Sequence, residues 1–200
     1  MTAVFVTLVA TAGCSTRSAA AALRNADQAV ESAWPEADRY VPEQLKALAE
    51  AARMAHDSFD RGDYAGAKAM AESVAADAQA VTKAAGARKQ ELTETWSHMQ
   101  STVPVMIERI KAKMTELATV KTLPNDFEGR LDVLRAEGAM LEQAWSEAQA
   151  AFQTGGLVQA VDGAKTARGR ADQLMASLGL VTFPPAAPAP PRGASPTAPK

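Results

Sequence analysis

The chain of 200 residues carries one cysteine, Cys14, and two histidines, His56 and His98. A histidine near carboxylates at helical spacing is the least that a metal or proton-transfer site requires. His56 and Asp60 are one helical turn apart, with Asp57 and Asp63 nearby, and Glu94 and His98 repeat that spacing. Each pair is half a site. Zinc takes three or four protein ligands, and a di-iron bundle needs Glu-x-x-His on two helices plus two further Glu. Glu94 and His98 have the wrong spacing for that motif, and the plainer expectation is polar surface residues beside a turn and on a solvated face. The chain has no assignable Ser-His-Asp grouping, Gly-rich phosphate loop, Gly-x-Ser-x-Gly or Cys-x-x-Cys-His. One cysteine excludes an internal disulfide framework and a Cys-rich zinc site. The expectation is a protein that is not an enzyme, with no catalytic, cofactor-binding or metal residues.

Cys14 closes an apolar stretch from Ala3 to Ala12, and the first charge in the chain is Arg17. About ten residues is short of the roughly 20 that span a bilayer, but it suits the apolar region of a secretory signal peptide. Thr11-Ala12-Gly13-Cys14 resembles the lipobox of bacterial lipoproteins. That resemblance implies cleavage before Cys14, diacylation of its thiol and, in many bacteria, acylation of the freed amine. Each buried CH₂ contributes about 0.8 kcal/mol, so two or more acyl chains hold firmly where one does not. Two features depart from the family pattern. A basic leader is missing, as a start assigned too far downstream would explain, and Thr11 replaces the commoner Leu. Ser15, rather than Asp, follows the cysteine. By resemblance to the enterobacterial sorting rule this implies the outer membrane, facing the periplasm. The competing reading is a frayed apolar end with an incidental cysteine.

The elements behind Cys14 read as helix almost throughout. Ala supplies 45 residues and aromatics only 5%, so a sheet is disfavoured. The core must instead gain its stability from many close contacts. The expected domains are a signal peptide over 1–13, a lipid-anchored polar tether over 14–18, an α-helical bundle over 19–180 and a disordered Pro/Ala-rich tail over 181–200. Leu23, Ala26, Val30 and Ala33 line a first helix that Pro35 should stop. Pro42 opens a second, with Leu45, Leu48, Ala52, Ala55 and Phe59 on one face. Gly62 ends it and Asp63 caps the next. That third helix runs to about Val103 on a stripe from Ala67 to Trp96, and a kink is expected near Gly86. Pro104 then opens a fourth helix. Lys121 to Asn125 is a loop, with Asn125 and Glu128 as a capping pair. A fifth helix carries Leu131, Leu134, Leu141, Trp145 and Phe152. Its Gly138 is either a notch for a neighbour or a weak point. A sixth follows Gly155-Gly156 and ends at Gly179. The fold expected is all-α: an elongated antiparallel bundle of about six helices built from hairpins.

Two echoes run through the chain. Trp34 and Pro42 share a spacing with Trp96 and Pro104. Phe59-x-x-Gly62-x-Tyr64-x-x-Ala67-x-x-x-Ala71 matches Phe152-x-x-Gly155-x-Leu157-x-x-Ala160-x-x-x-Ala164. The first copy has Tyr40-x-Pro42-x-x-Leu45, an Ala-rich helix, Gly62-Asp63-Tyr64 and a second Ala-rich helix. It resembles an Ala-rich helical-hairpin domain of unknown function in bacterial envelope lipoproteins, sometimes fused to OmpA-like domains. It is more weakly similar to tetratricopeptide helix pairs. The resemblance covers less than half of the chain. It implies an envelope setting and no catalytic residues.

A net charge of −2 argues against a nucleic-acid partner. Arg109, Lys111 and Lys113 form one basic patch, and Lys165, Arg168 and Arg170 another; a salt-bridged face is the plain expectation for both. Trp34, Trp96 and Trp145 are expected in the core or closing hairpins. The leading reading is a lipid-anchored, non-enzymatic envelope scaffold, held to membrane lipid through Cys14 and facing a protein or peptidoglycan-layer partner. The alternatives are a periplasmic metal- or ligand-binding bundle and a tetratricopeptide-like peptide-binding module.

Overall fold

The computed structural model describes residues 12–119 and 125–180, and among them every regular element is an α-helix. In chain order these are α1 (Ala12–Tyr40), α2 (Pro42–Asp60), α3 (Tyr64–Thr119), α4 (Asn125–Gln153) and α5 (Leu157–Ser177). They form two compact units, with the boundary between Thr93 and Glu94, inside α3. Unit 1 holds α1, α2 and the first part of α3. Unit 2 holds the rest of α3 with α4 and α5.

Five helices stand where about six were expected, and the difference lies at the prolines. Pro104 lies inside α3 rather than opening a new helix, and Pro35 lies inside α1 rather than ending it. A mid-helix proline removes one backbone hydrogen bond. At Pro35 the ring is exposed, and the buried Ala33 and Ala37 on either side of it hold the turn in place. Pro104 sits likewise between the buried Val103 and Met106. Pro42 does break the chain. It drives Val41 out of the helical region, to φ −143° and ψ 53°, and takes the first position of α2. Residues 15–18, expected as a tether, are helical. The side chains of the expected Asn125–Glu128 cap lie outside the described residues, as do the expected loop at 120–124, the residues before Ala12 and those after Leu180.

In unit 1 the three helices share one core. Leu23, Ala26 and Ala37 of α1 meet Leu45, Leu48 and Ala55 of α2 and Ala71, Val74, Ala78 and Val81 of α3. Asp27 of α1 lies 2.9 Å from His56 of α2. Lys89 of α3 donates to Glu36 of α1 at 2.9 Å and lies 5.8 Å from the centre of the Tyr40 ring. In unit 2 the core side chains are larger. Trp96 stacks on Trp145 at 5.6 Å between ring centres and on Phe152 at 4.7 Å. Met99, Val103, Met106 and Ile110 of α3 are buried, as are Leu141 of α4 and Val161, Leu174 and Met175 of α5. Gly138 is the notch: a side chain there would begin 3.1 Å from Cε of Met114.

The second echo has a structural counterpart. Both turns are the same glycine-terminated helix end. Gly62 N–H reaches the Phe59 carbonyl and Asp63 N–H that of Ser58. Gly155 N–H reaches the Phe152 carbonyl and Gly156 N–H that of Ala151. The glycines have φ of 85° and 84°, where a side chain would clash with the backbone. Burial then repeats in step. Leu48, Ala55, Ala67, Ala71, Val74, Ala78 and Val81 answer to Leu141, Ala148, Ala160, Ala164, Ala167, Ala171 and Leu174, all buried. The Trp–Pro echo has no such counterpart. Trp34 is 49% exposed and Trp96 2%, and Pro42 begins a helix that Pro104 lies within.

Candidate functional site

Cys14 lies in the first turn of α1, one residue ahead of the first described side chain. Ala19, five positions on, is fully buried. At 1.5 Å per residue, the packed part of unit 1 starts within about 8 Å of Cys14. Cys14 is therefore joined to the bundle through helix and not through a free polar strand.

The histidines partner groups that the local sequence did not point to. His56 meets Asp27 across to α1 rather than Asp60 on its own helix, and both side chains are about half exposed. His98 Nε2 lies 3.3 Å from Nη1 of Arg168 on α5. Because the guanidinium can only donate, the imidazole nitrogen facing it accepts. Arg168 is itself buried, 8% exposed, and also approaches Asp172 at 3.7 Å. These are contacts that hold helices together. Among the described residues no three His, Cys, Asp or Glu side chains are grouped so as to hold a metal ion.

Several other charges form surface pairs. Lys111 of α3 bridges to Glu142 of α4 at 2.9 Å, which raises its pKa, and Lys113 pairs with Glu116. Lys89 is raised in the same way by Glu36. Arg53 holds Glu50 at 2.6 Å and Asp57 at 2.7 Å. Its hydrogen bonds and charge keep the Glu50 carboxyl below the usual carboxylate range. These groups face solvent, where such pairs contribute little. No helix among the described residues is long and apolar enough to cross a membrane.

Compared with known protein families, with curated proteins and with solved structures, the chain matches none.

One surface was missed from sequence. Between α2 and α3 of unit 1 an open groove of about 500 Å³ has Leu48 and Val81 as its floor and Ala47, Ala51, Ala80 and Ala84 along its sides. Gln44 and Asp77 also line it. Met54 continues the α2 side of this face at helical spacing and Met70 the α3 side, 50% and 39% exposed. The signal was a second, alanine-rich stripe on α2 (Ala47, Ala51, Met54) beside the one that builds the core. Alanine's abundance across the whole chain hid it.

Proposed function

We propose that this chain is a lipid-anchored, non-enzymatic protein of the bacterial cell envelope, a scaffold of helical hairpins that presents its surface to a partner in the periplasm or at the cell surface. One observation carries the reading: the only cysteine closes an uncharged apolar stretch directly after Thr11-Ala12-Gly13. Multiple acylation at Cys14 would hold the protein on a membrane, and Ser15 favours the outer one, facing the periplasm. Membrane lipid is then one partner, and a protein or the peptidoglycan layer the other.

The hairpin arrangement belongs to the same reading. Only Val41 separates α1 from α2, and Asp27 meets His56. Antiparallel neighbours account for both. The helical backbone at Cys14 and the buried Ala19 favour a bundle seated close to its anchor. The side chains that face one another across the helices are alkyl and aromatic groups with a few ion pairs, whose part in this reading is packing.

Metabolic labelling with an alkyne analogue of palmitate tests the anchor. The native chain should take up label and fractionate with membranes, while Cys14→Ser should do neither. Equal labelling of the two, or a native chain recovered soluble with a free thiol, overturns the proposal.

A further inference from the structure

The two units share the register of their buried positions, so each acts as a reference for the other's surface. The groove of unit 1 has its counterpart between α4 and α5, and there its middle is crossed by side chains, leaving open only an end of about 430 Å³ at Glu137 and Ser177. Ala47 corresponds to Met140, and Asp77 to Arg170. Arg170 Nη1 lies 3.8 Å from Sδ of Met140, so an apolar side chain and a cation together bridge the two helices. Outside that bridge, unit 2 turns polar where unit 1 is apolar. Glu147, Gln173 and Ser177 stand where unit 1 has Met54, Ala80 and Ala84.

Unit 1 therefore leaves open a place whose complement is visible elsewhere in the same chain. Its floor is apolar, its sides are small, and its one charge is Asp77, opposite in sign to Arg170. Asp77 receives only a long hydrogen bond, 3.4 Å, from the Ser73 hydroxyl. Alanine sides let a helix backbone approach closely, and exposed methionines adapt to the side chains that meet them. An amphipathic helix laid along two others is an established mode of recognition for such a face.

We propose that this face of α2 and α3 docks a helix of another polypeptide, one that brings an unbranched apolar side chain onto Leu48 and Val81 and a Lys or Arg to Asp77. The docking does not rest on acylation of Cys14, so an unlabelled cysteine and an empty groove are separate failures.

The test places the photocrosslinker benzoylphenylalanine at position 80 of the full chain, expressed in the cells it comes from. The same substitution at position 173, its counterpart in unit 2, is the control. The expected result is a crosslink from position 80, mapped by mass spectrometry to a helical peptide of another protein with Lys or Arg within one turn. It should be absent from position 173. Asp77→Arg, which copies unit 2, should lower its yield at least about tenfold through like-charge repulsion, and Asp77→Asn should lower it less. Unchanged thermal unfolding of both variants keeps the result a surface effect. No crosslink at position 80, a crosslink to a second copy or to the chain's own tail, or a yield indifferent to Asp77→Arg overturns the proposal.

Discussion

Ala26, Ala33 and Ala37 line α1 in unit 1, and Met99, Met106 and Ile110 line α3 in unit 2, at the same steps along the helix and all buried. Leu23 likewise answers to Trp96. One register thus has two packing solutions. Unit 1 packs by closeness, since alanines need helix axes near the short end of the roughly 8–10 Å range. Along α3 unit 2 packs by volume, with an aromatic stack that adds about 0.5–1.5 kcal/mol per ring pair beyond its buried area. The positions that must be buried belong to the register, whereas the residue that fills each one is free to vary with its neighbours.

The hardest blow to this comparison is Trp145→Ala, which gives α4 the residue that α2 has at Ala52. Trp145 is 7% exposed and stacked on Trp96. Its loss should destabilise unit 2 by about 3–5 kcal/mol. Trp96 is the less clean choice, because its buried indole N–H has no acceptor among the described residues and removing it recovers part of the loss. Amide hydrogen exchange should show α5 losing protection while α1 and α2 keep theirs. Equal losses in both would mean that the units do not stand separately.

The converse change enlarges an alanine. Ala71 and Ala164 occupy matching positions and are both fully buried. Ala71→Leu should cost about 1–3 kcal/mol by overpacking. Ala164→Leu should cost less, because Met106 and Met175 in its unit have tips that can move aside. Urea midpoints of the two variants decide it, and a reversed order would remove the distinction between packing by closeness and by volume.

How far the sequence disclosed this can be traced residue by residue. The stripe from Ala67 through Trp96 to Val103 is buried as its spacing requires, because helical periodicity reports the buried face whatever fills it. The proline boundaries at 35 and 104 misled, since a local rule cannot weigh one lost hydrogen bond against the tertiary packing that flanks it. The histidine partners were out of reach for a related reason: Asp27 is 29 residues from His56 and Arg168 is 70 from His98. Pattern within one helix cannot see across to another. The reading of Cys14 rests on its sequence neighbours alone, and its side chain is outside the described residues.

The turns sharpen the comparison because here the units should agree. Nothing lies within 4 Å of a side chain built at Gly62 or at Gly155. Gly62→Ala and Gly155→Ala therefore suffer only the cost of a left-handed backbone, about 1–2 kcal/mol. Paired thermal melts should show equal losses. A large difference would say that one of the turns carries a constraint beyond its own geometry.

The smallest effect is expected at Gly138, the counterpart of the buried Leu45. A methyl group there would sit 3.1 Å from Cε of Met114, the free end of a flexible side chain. That contact costs little if Met114 rotates, and alanine in mid-helix recovers roughly 1 kcal/mol over glycine. Gly138→Ala should thus be neutral to stabilising, by no more than about 1 kcal/mol from urea midpoints. Gly138→Leu, which copies unit 1, should cost about 1–3 kcal/mol, since Met114 already holds the space. Adding Met114→Ala to Gly138→Leu should restore part of that loss. If Gly138→Leu alone is neutral, the glycine is only a weak point in α4, and the notch does not distinguish the two units.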